Sequence, residues 1–418
     1  MSTVLFAPET FNLAETTRAI EVARRLRDRH ECVFAGYSQR YAGLVEEAGF
    51  EYHPLSPELT DAQADQLIRF DQGRSANHPF TAGVVRARVE SELELNTLLR
   101  PAATVIGTTL SQAVSARVSG IPLVYVKPFA YSWPHLRQAR SLPLAPGNGR
   151  SARTVNAGAA RLLREVARYA SYKPRGFARV AREYGVRLPR RTVEALDGDV
   201  NLITSISGYL HPYRLPPNYH WVGPVYARLD QEVPPEVSEL VGKARDADRR
   251  VVYCAMGSSA NRDIVLRVLR ELSRLPVTVI APVARYLEQG DLEELGPRVH
   301  VFDLLPAHKL GDLIDASVIH GGEGTVQTAV ASGKPFLGIG LQPEQRWNVD
   351  DCARFGNAVG LSPQQARGER LRRALETLLH DPWLRTRAEE LRRRLSGIDG
   401  ARNAADRIHD LVTDPEAS

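Results

Sequence analysis

Cysteine is scarce and scattered. Cys32, Cys254 and Cys352 are the only three in 418 residues, far apart and without metal-ligand spacing. Cys32 and Cys254 sit in apolar, strand-like runs, so buried free thiols are expected in place of a metal site. Long apolar runs are missing as well. No segment approaches the ~18 residues of a membrane-spanning helix, and no basic N-terminal region precedes an apolar stretch. A cytoplasmic protein with no membrane span is the expectation. Lysine is rare, 5 residues against 49 arginines, a skew that fits a GC-rich coding sequence better than selection for charge. Short repeats and low-complexity tracts are absent too.

What remains is a globular composition, 43% hydrophobic and 25% charged, long enough for two domains with separate cores. The net charge of +5 is unevenly spread. Residues 150–191 hold twelve Lys or Arg against two acids, Glu165 and Glu183. Aromatics do not interleave with these arginines as base stacking requires, which removes a nucleic acid partner. A solvated helix face accounts for the run. An anionic acceptor or an anionic membrane surface are the alternatives. No apolar patch lies beside it in sequence, which weighs against a membrane.

Apolar β-rich runs alternate with helix-period segments twice along the chain. "TVLFA", "ECVFAG", "ATVIGT" and "PLVYVKP" read as strands in the first half. "RVVYCAM", "VTVIAP", "VHVFDL", "ASVIHGG" and "PFLGIG" do so in the second. This α/β pattern predicts two Rossmann-like domains with parallel sheets, and ligands at the strands' carboxyl ends in an interdomain cleft. The likeliest boundary falls at the start of Leu215–Glu236, which has five prolines in 22 residues. That gives domains at 1–215 and 216–395, with a tail at 396–418 whose helix could pack back across the seam. Lys127–Gly158 reads as a long irregular loop, a lid or binding loop.

The segment Ala316–Leu361 carries the chemistry. "SVIH" is a buried strand ending in His320, "GGEGT" a glycine-rich turn and "VQTAVASG" a helix. Gly321, Gly322 and Gly324 let a ligand approach the backbone, and the helix start favours an anion such as a diphosphate. His320 can donate to it and Thr325 adds a hydroxyl. A tight turn that needs glycine explains the same residues without a ligand. "PEQRWN" then places a carboxylate beside an amide, which suits neighbouring sugar hydroxyls.

His320-Gly321-Gly322-Glu323-Gly324-Thr325, the Ala329 to Pro335 turn, the Glu344-Gln345 pair and Asn348 together resemble the donor signature of family 1 glycosyltransferases of the GT-B fold, bacterial natural-product members above all. Upstream, "VVYCAMGSS", "VFDLLPAHKLGDLIDASVIHGG" and "WVGPV" resemble other family segments. The specific likeness spans Tyr219–Leu361. In the first half it is one of architecture only.

The resemblance implies an inverting, metal-independent transfer from a nucleotide sugar, with no further cofactor and with charge on the leaving diphosphate stabilised by fixed donors. His320, Gly321, Gly322, Gly324 and Thr325 would hold the diphosphate, with Ser258 and Ser259 on its other side. The Leu305 backbone would pair with the base, and Glu344, Gln345 and Asn348 would hold the sugar. "DGD" at Asp197–Asp199 reads as a surface turn before a strand in place of a metal motif.

Three positions depart from the family pattern. Thr328 stands where many members have a Glu that binds the ribose hydroxyls; a deoxyribose has no 2'-hydroxyl to bind, which favours a dTDP-sugar over a UDP-sugar, and a deoxysugar is the expected group transferred. Glu344 stands where Asp is usual. The customary Gly-His pair after the first strand falls at Ala14-Glu15, and the usual Asp falls near Gly107. No histidine occurs before His30.

Glu15 is thus either a carboxylate base or a first-turn acid that suits the helix dipole. Free Glu titrates at about 4.3 and is a weak base unless burial or a neighbour such as Glu9 raises it. His53 is a weaker alternative, as is His78. Asn12 and Thr10 would bind acceptor hydroxyls or cap the helix, and Trp133 and His135 would touch an acceptor or pack.

The expected activity is transfer to a small-molecule acceptor in natural-product biosynthesis. One alternative is a peripheral-membrane transferase with a UDP-sugar and a lipid-linked or anionic acceptor. Another is a non-catalytic scaffold that binds a nucleotide sugar or a partner. A GT-B epimerase is more remote, because its several acid/base groups have no place here.

Overall fold

A computed structural model describes residues 1–418 except 72–79, 143, 146–149, 172, 196, 229–230, 258–259 and 415–418, with the backbone alone for 68–71. The first sheet contains β1 (Thr3–Ala7), β2 (Glu31–Gly36), β3 (Glu51–Pro54), β4 (Ala103–Ile106), β5 (Leu123–Lys127), β6 (Val200–Ile203) and β7 (Tyr219–Trp221). Its order is β3-β2-β1-β4-β5-β6-β7, with every pairing parallel. The second contains β8 (Arg250–Ala255), β9 (Val277–Ala281), β10 (Val299–Val301), β11 (Ala316–Ile319), β12 (Phe336–Ile339) and β13 (Ala358–Leu361). Its order is β10-β9-β8-β11-β12-β13, again all parallel.

Strands such as β4, β5, β9, β11 and β12 are buried at every residue. That is why they read as unbroken apolar runs: helices cover both faces of a parallel sheet. In the second domain one face packs Val265, Leu269 and Leu272 against Val252, Val279 and Leu375. The other packs Val326, Val330 and Val349 against Tyr253, Ile319 and Phe336.

Strand order reverses between β1 and β4 and between β8 and β11. These are the positions where crossovers part and open a crevice at the carboxyl ends of the strands. Both ends face the domain seam. Thr204 and Ser205, just past β6, hydrogen-bond Glu323, at the start of the helix after β11.

Three features differ from the sequence reading. The first sheet continues to β7 at Tyr219–Trp221, past the expected boundary at 215, because β7 completes β6 in parallel register. Lys127–Gly158 is not irregular throughout. It holds the helix Trp133–Gln138, capped by the Ser132 hydroxyl, and the start of the helix Arg150–Tyr169. Finally, Asp197 does not sit in a surface turn. It pairs with the buried Lys127 ammonium at 2.7 Å and accepts the Tyr219 hydroxyl at 2.5 Å, as a buried cation requires.

The last helix, Gly400–Thr413, lies on the first domain. Ala404, Ala405, Ile408 and Leu411 pack against Ile20, Ala23 and Leu26. His409 Nδ1 lies 2.8 Å from His30 Nε2, and Asn403 donates to the Val222 carbonyl. The chain therefore crosses the seam a second time, which ties the two domains together at both ends of the linker.

Candidate active site

On the second-domain side, His320 follows β11 directly. Its ring is 8% exposed and burial pulls its pKa down to about 4, so the imidazole is neutral at neutral pH. It carries no charge and a single N–H, for which the Ala255 backbone competes with any anion. Two glycines make room for it. A Cβ at Gly322 would lie 2.5 Å from Nε2, and one at Gly257, which has φ +59, would strike the same ring. Gly257 terminates the run after β8, so glycines from both strands at the switch point frame the histidine.

The helix Glu323–Ala331 starts at Gly322, which has extended backbone, and Gly324 opens onto free space in its first turn. Thr325 Oγ1 donates to the Gly322 carbonyl at 2.8 Å, and Thr328 Oγ1 to the Gly324 carbonyl at 2.9 Å. Both hydroxyls are thereby turned onto their own helix. Leu305 is buried, and its main-chain N–H and C=O have no partner among the described residues.

Glu344 begins the helix Pro343–Phe355 after β12. Asn348 Nδ2 donates to its Oε1 at 2.5 Å and to the Gly321 carbonyl at 3.1 Å. The Glu323 N–H also faces this carboxyl. Burial, then the nearby Glu323 charge, push its pKa up to about 7. Gln345 is placed otherwise than expected. It is 3% exposed, its Oε1 accepts from the Leu341 and Gln342 N–H groups, and its amide nitrogen donates to Gln342. It closes the capping box of its own helix. Ser258 and Ser259 lie outside the described residues, as does His78.

On the first-domain side, Glu15 sits at the β1/β4 crevice. Its Oε2 accepts from the Glu9 N–H at 3.2 Å and the Thr108 N–H at 3.0 Å. Its Oε1 accepts from the Thr108 hydroxyl at 2.7 Å. The carboxylate thus clamps the loop after β1 to the loop after β4. Gly107 makes this possible, because a side chain there would run into the Glu15 carboxyl group. The residue that lacks the family's customary Asp is the one that leaves space for the glutamate. Arg18, one turn along the same helix, contributes to the field at Glu344, so this helix start faces the donor-side carboxyl.

The other first-domain candidates are committed to structure. Glu9 is 3% exposed and paired with the buried Arg88 at 3.2 Å. Burial raises its carboxyl above the ordinary range despite Arg88. Thr10 is fully buried and bonds the Ser38 backbone in both directions, at 2.7 and 3.2 Å. Asn12 caps its helix through the Ala14 N–H. His53 lies on the edge strand β3, two strands from β1, and pairs with Glu51 at 3.0 Å.

Trp133 and His135 are buried at the domain seam. Trp133 shares an apolar cluster with Trp347 of the second domain. His135 packs edge-on against the same Trp347 at 4.5 Å, and burial pulls its pKa down to about 4. Both pack at the seam, and His135 also lines a cavity there together with Trp347, Asp351 and Arg354.

Sequence reasoning missed three functional candidates. Glu323 Oε1 accepts from the Thr204 hydroxyl at 2.5 Å and its Oε2 from the Ser205 hydroxyl at 2.8 Å, across the seam. Gln327 supports it, donating to Thr204 O at 2.9 Å. Thr108 is the partner of Glu15. Glu323 stands at the variable position of the glycine motif, where an unexpected acid was the only available signal. Among the described residues no cluster of three metal-ligating side chains occurs, and no helix is long and apolar enough to cross a membrane.

Residues 266–398 match the family described as Erythromycin biosynthesis protein CIII-like, C-terminal domain. The chain is 27% identical over 398 residues to a PGL/p-HBAD biosynthesis glycosyltransferase of Mycobacterium tuberculosis (strain H37Ra), covering 93% of this chain and 87% of that one. It is equally similar, 27% over 398 residues, to a PGL/p-HBAD biosynthesis rhamnosyltransferase of Mycobacterium bovis (strain BCG / Pasteur 1173P2), with coverage of 93% and 83%. The glycosyltransferase VinC, solved in complex with DTDP, superposes with a TM-score of 0.68 over 98% of this chain and 99% of that one, at 15% identity.

Proposed function

Since the chain is a family 1 glycosyltransferase of the GT-B fold, we propose that it moves a deoxysugar from a dTDP donor to a small-molecule acceptor, inverting the anomeric carbon. The observation that carries this reading is the open helix start at Gly322–Thr325 beside a neutral His320. Main-chain N–H groups and the helix dipole there suit a departing diphosphate. A neutral imidazole donates a hydrogen bond without demanding a counterion.

Thr328 favours dTDP. Its hydroxyl is spent on Gly324 O, so no carboxylate stands at this position to take both ribose hydroxyls. A 2'-deoxyribose needs none. The similarity to a rhamnosyltransferase and to a protein solved with DTDP supports the same choice. Glu344, positioned by Asn348, is the sugar contact. Leu305, with its free main-chain groups, is the base contact.

Glu15 is the assigned base. It has one lone pair of Oε1 left beyond its three hydrogen bonds, at the carboxyl end of the sheet where an acceptor hydroxyl would attack from the face opposite the diphosphate. Calorimetric titration with dTDP and UDP tests the donor assignment. Tighter dTDP binding is expected, and clearly tighter UDP binding would overturn it.

A further inference from the structure

The helix Arg150–Tyr169 carries an exposed face that the transfer reaction does not use. Ala152, Asn156, Ala160 and Ala167 are buried against the first domain. On the outer side Val155, Leu162, Val166 and Tyr169 are 53, 66, 52 and 70% exposed. Their spacing of seven, four and three residues puts them in one strip, about 21 Å long at 1.5 Å per residue. Single exposed apolar residues are ordinary, but a continuous strip of four marks an interaction surface.

Arginines share the rest of the exposed side with Ser151, Thr154, Ala157, Gly158 and Glu165. Arg150, Arg153, Arg161 and Arg168 are all exposed, and among the described residues none of them is in an ion pair. Glu165 is the one acid on the helix. The next helix, Arg175–Glu183, adds exposed Arg175, Arg179 and Arg182. The apolar residues were hidden in the sequence because they interleave with the arginines. Helical winding separates the two sets, with Thr154 and Glu165 on the face between them.

We propose that this face docks the protein on an anionic lipid bilayer. An apolar strip that enters the acyl boundary, beside arginines that reach lipid phosphates, is the pattern of an interfacial helix. Charge complementarity selects this occupant. A second copy of the chain meeting the same face about a two-fold axis would bring unpaired arginines onto arginines. The docking helix also packs on the helix Trp133–Gln138 at the seam, through Ala167 and Leu136. Docking there therefore brings the cleft beside the membrane surface, where an amphipathic acceptor would collect. This inference is independent of the donor assignment.

Flotation of the full chain with vesicles tests it. Binding is expected to phosphatidylcholine vesicles containing phosphatidylglycerol, weakening with salt, and not to phosphatidylcholine alone. The double variants Leu162→Ser/Tyr169→Ser and Arg161→Glu/Arg168→Glu should each cut partition at least about tenfold, with an unchanged circular dichroism spectrum and thermal unfolding midpoint as the folding control. The proposal is overturned if the wild type stays unbound to anionic vesicles, or if both double variants float as well as the wild type. It is equally overturned if sedimentation shows a dimer that Leu162→Ser dissociates.

Discussion

Glu323 of the second domain accepts a 2.5 Å hydrogen bond from Thr204 of the first. The residue lies inside the glycine motif, and its main-chain N–H faces the Glu344 carboxyl at the turn proposed for the diphosphate. A change in the seam is therefore felt at the diphosphate. Glu323→Ala should raise the KM for the nucleotide sugar by about tenfold, with a smaller effect on kcat. The double-mutant cycle with Thr204→Val should show a coupling of about 1 kcal/mol or more. Additive effects would mean that the bond does not position the turn.

Glu15→Gln tests the assigned base. Loss of general-base catalysis should lower kcat by about 10²-fold or more, with dTDP affinity unchanged. Thr108→Val separates this from the clamp, because it removes the 2.7 Å hydroxyl bond and leaves the carboxylate. It should cost far less activity than Glu15→Gln. Turnover near wild type in a folded Glu15→Gln protein would exclude Glu15.

The two parallel sheets and the glycine-rich turn after β11 were legible because their signals are local. Buried strands read as apolar runs, and His320, Gly322 and Gly324 stand at fixed spacing on one turn. What eluded the sequence depends on pairs distant in the chain. Thr204 and Glu323 are 119 residues apart and Glu15 and Thr108 are 93 apart. Thr10 reads as an acceptor contact because residue type does not report burial. That the Gln345 side-chain oxygen caps its own helix was hidden for the same reason, since residue type does not report where a side chain is bonded.

Thr328→Glu would restore a carboxylate over the ribose position. A charge-assisted bond to two hydroxyls is worth about 1.5–3 kcal/mol, so UDP affinity should rise about tenfold or more relative to dTDP. Titration of both nucleotides against both proteins measures the ratio. An unchanged ratio would place the ribose away from this helix.

Glu344 makes the pH behaviour specific. Its pKa is raised from 4.5 to about 7, so the folded chain holds a proton there that the unfolded chain releases. Its neutral form is accommodated at low pH. That stability is fully present below 4.5 and is lost as pH rises through about 7. For a largely buried carboxyl, ionisation against that gap costs about 1–3 kcal/mol. Glu344→Gln keeps an acceptor for Asn348 and cannot ionise. It should match wild type in urea unfolding at about pH 5 and exceed it by about that amount at about pH 8.5. The ionised carboxyl also faces the helix start that a diphosphate would share, so wild-type dTDP affinity should fall as pH rises through about 7. In Glu344→Gln the fall should be smaller. A stability difference equal at both pH values would show that the carboxyl does not titrate in this range.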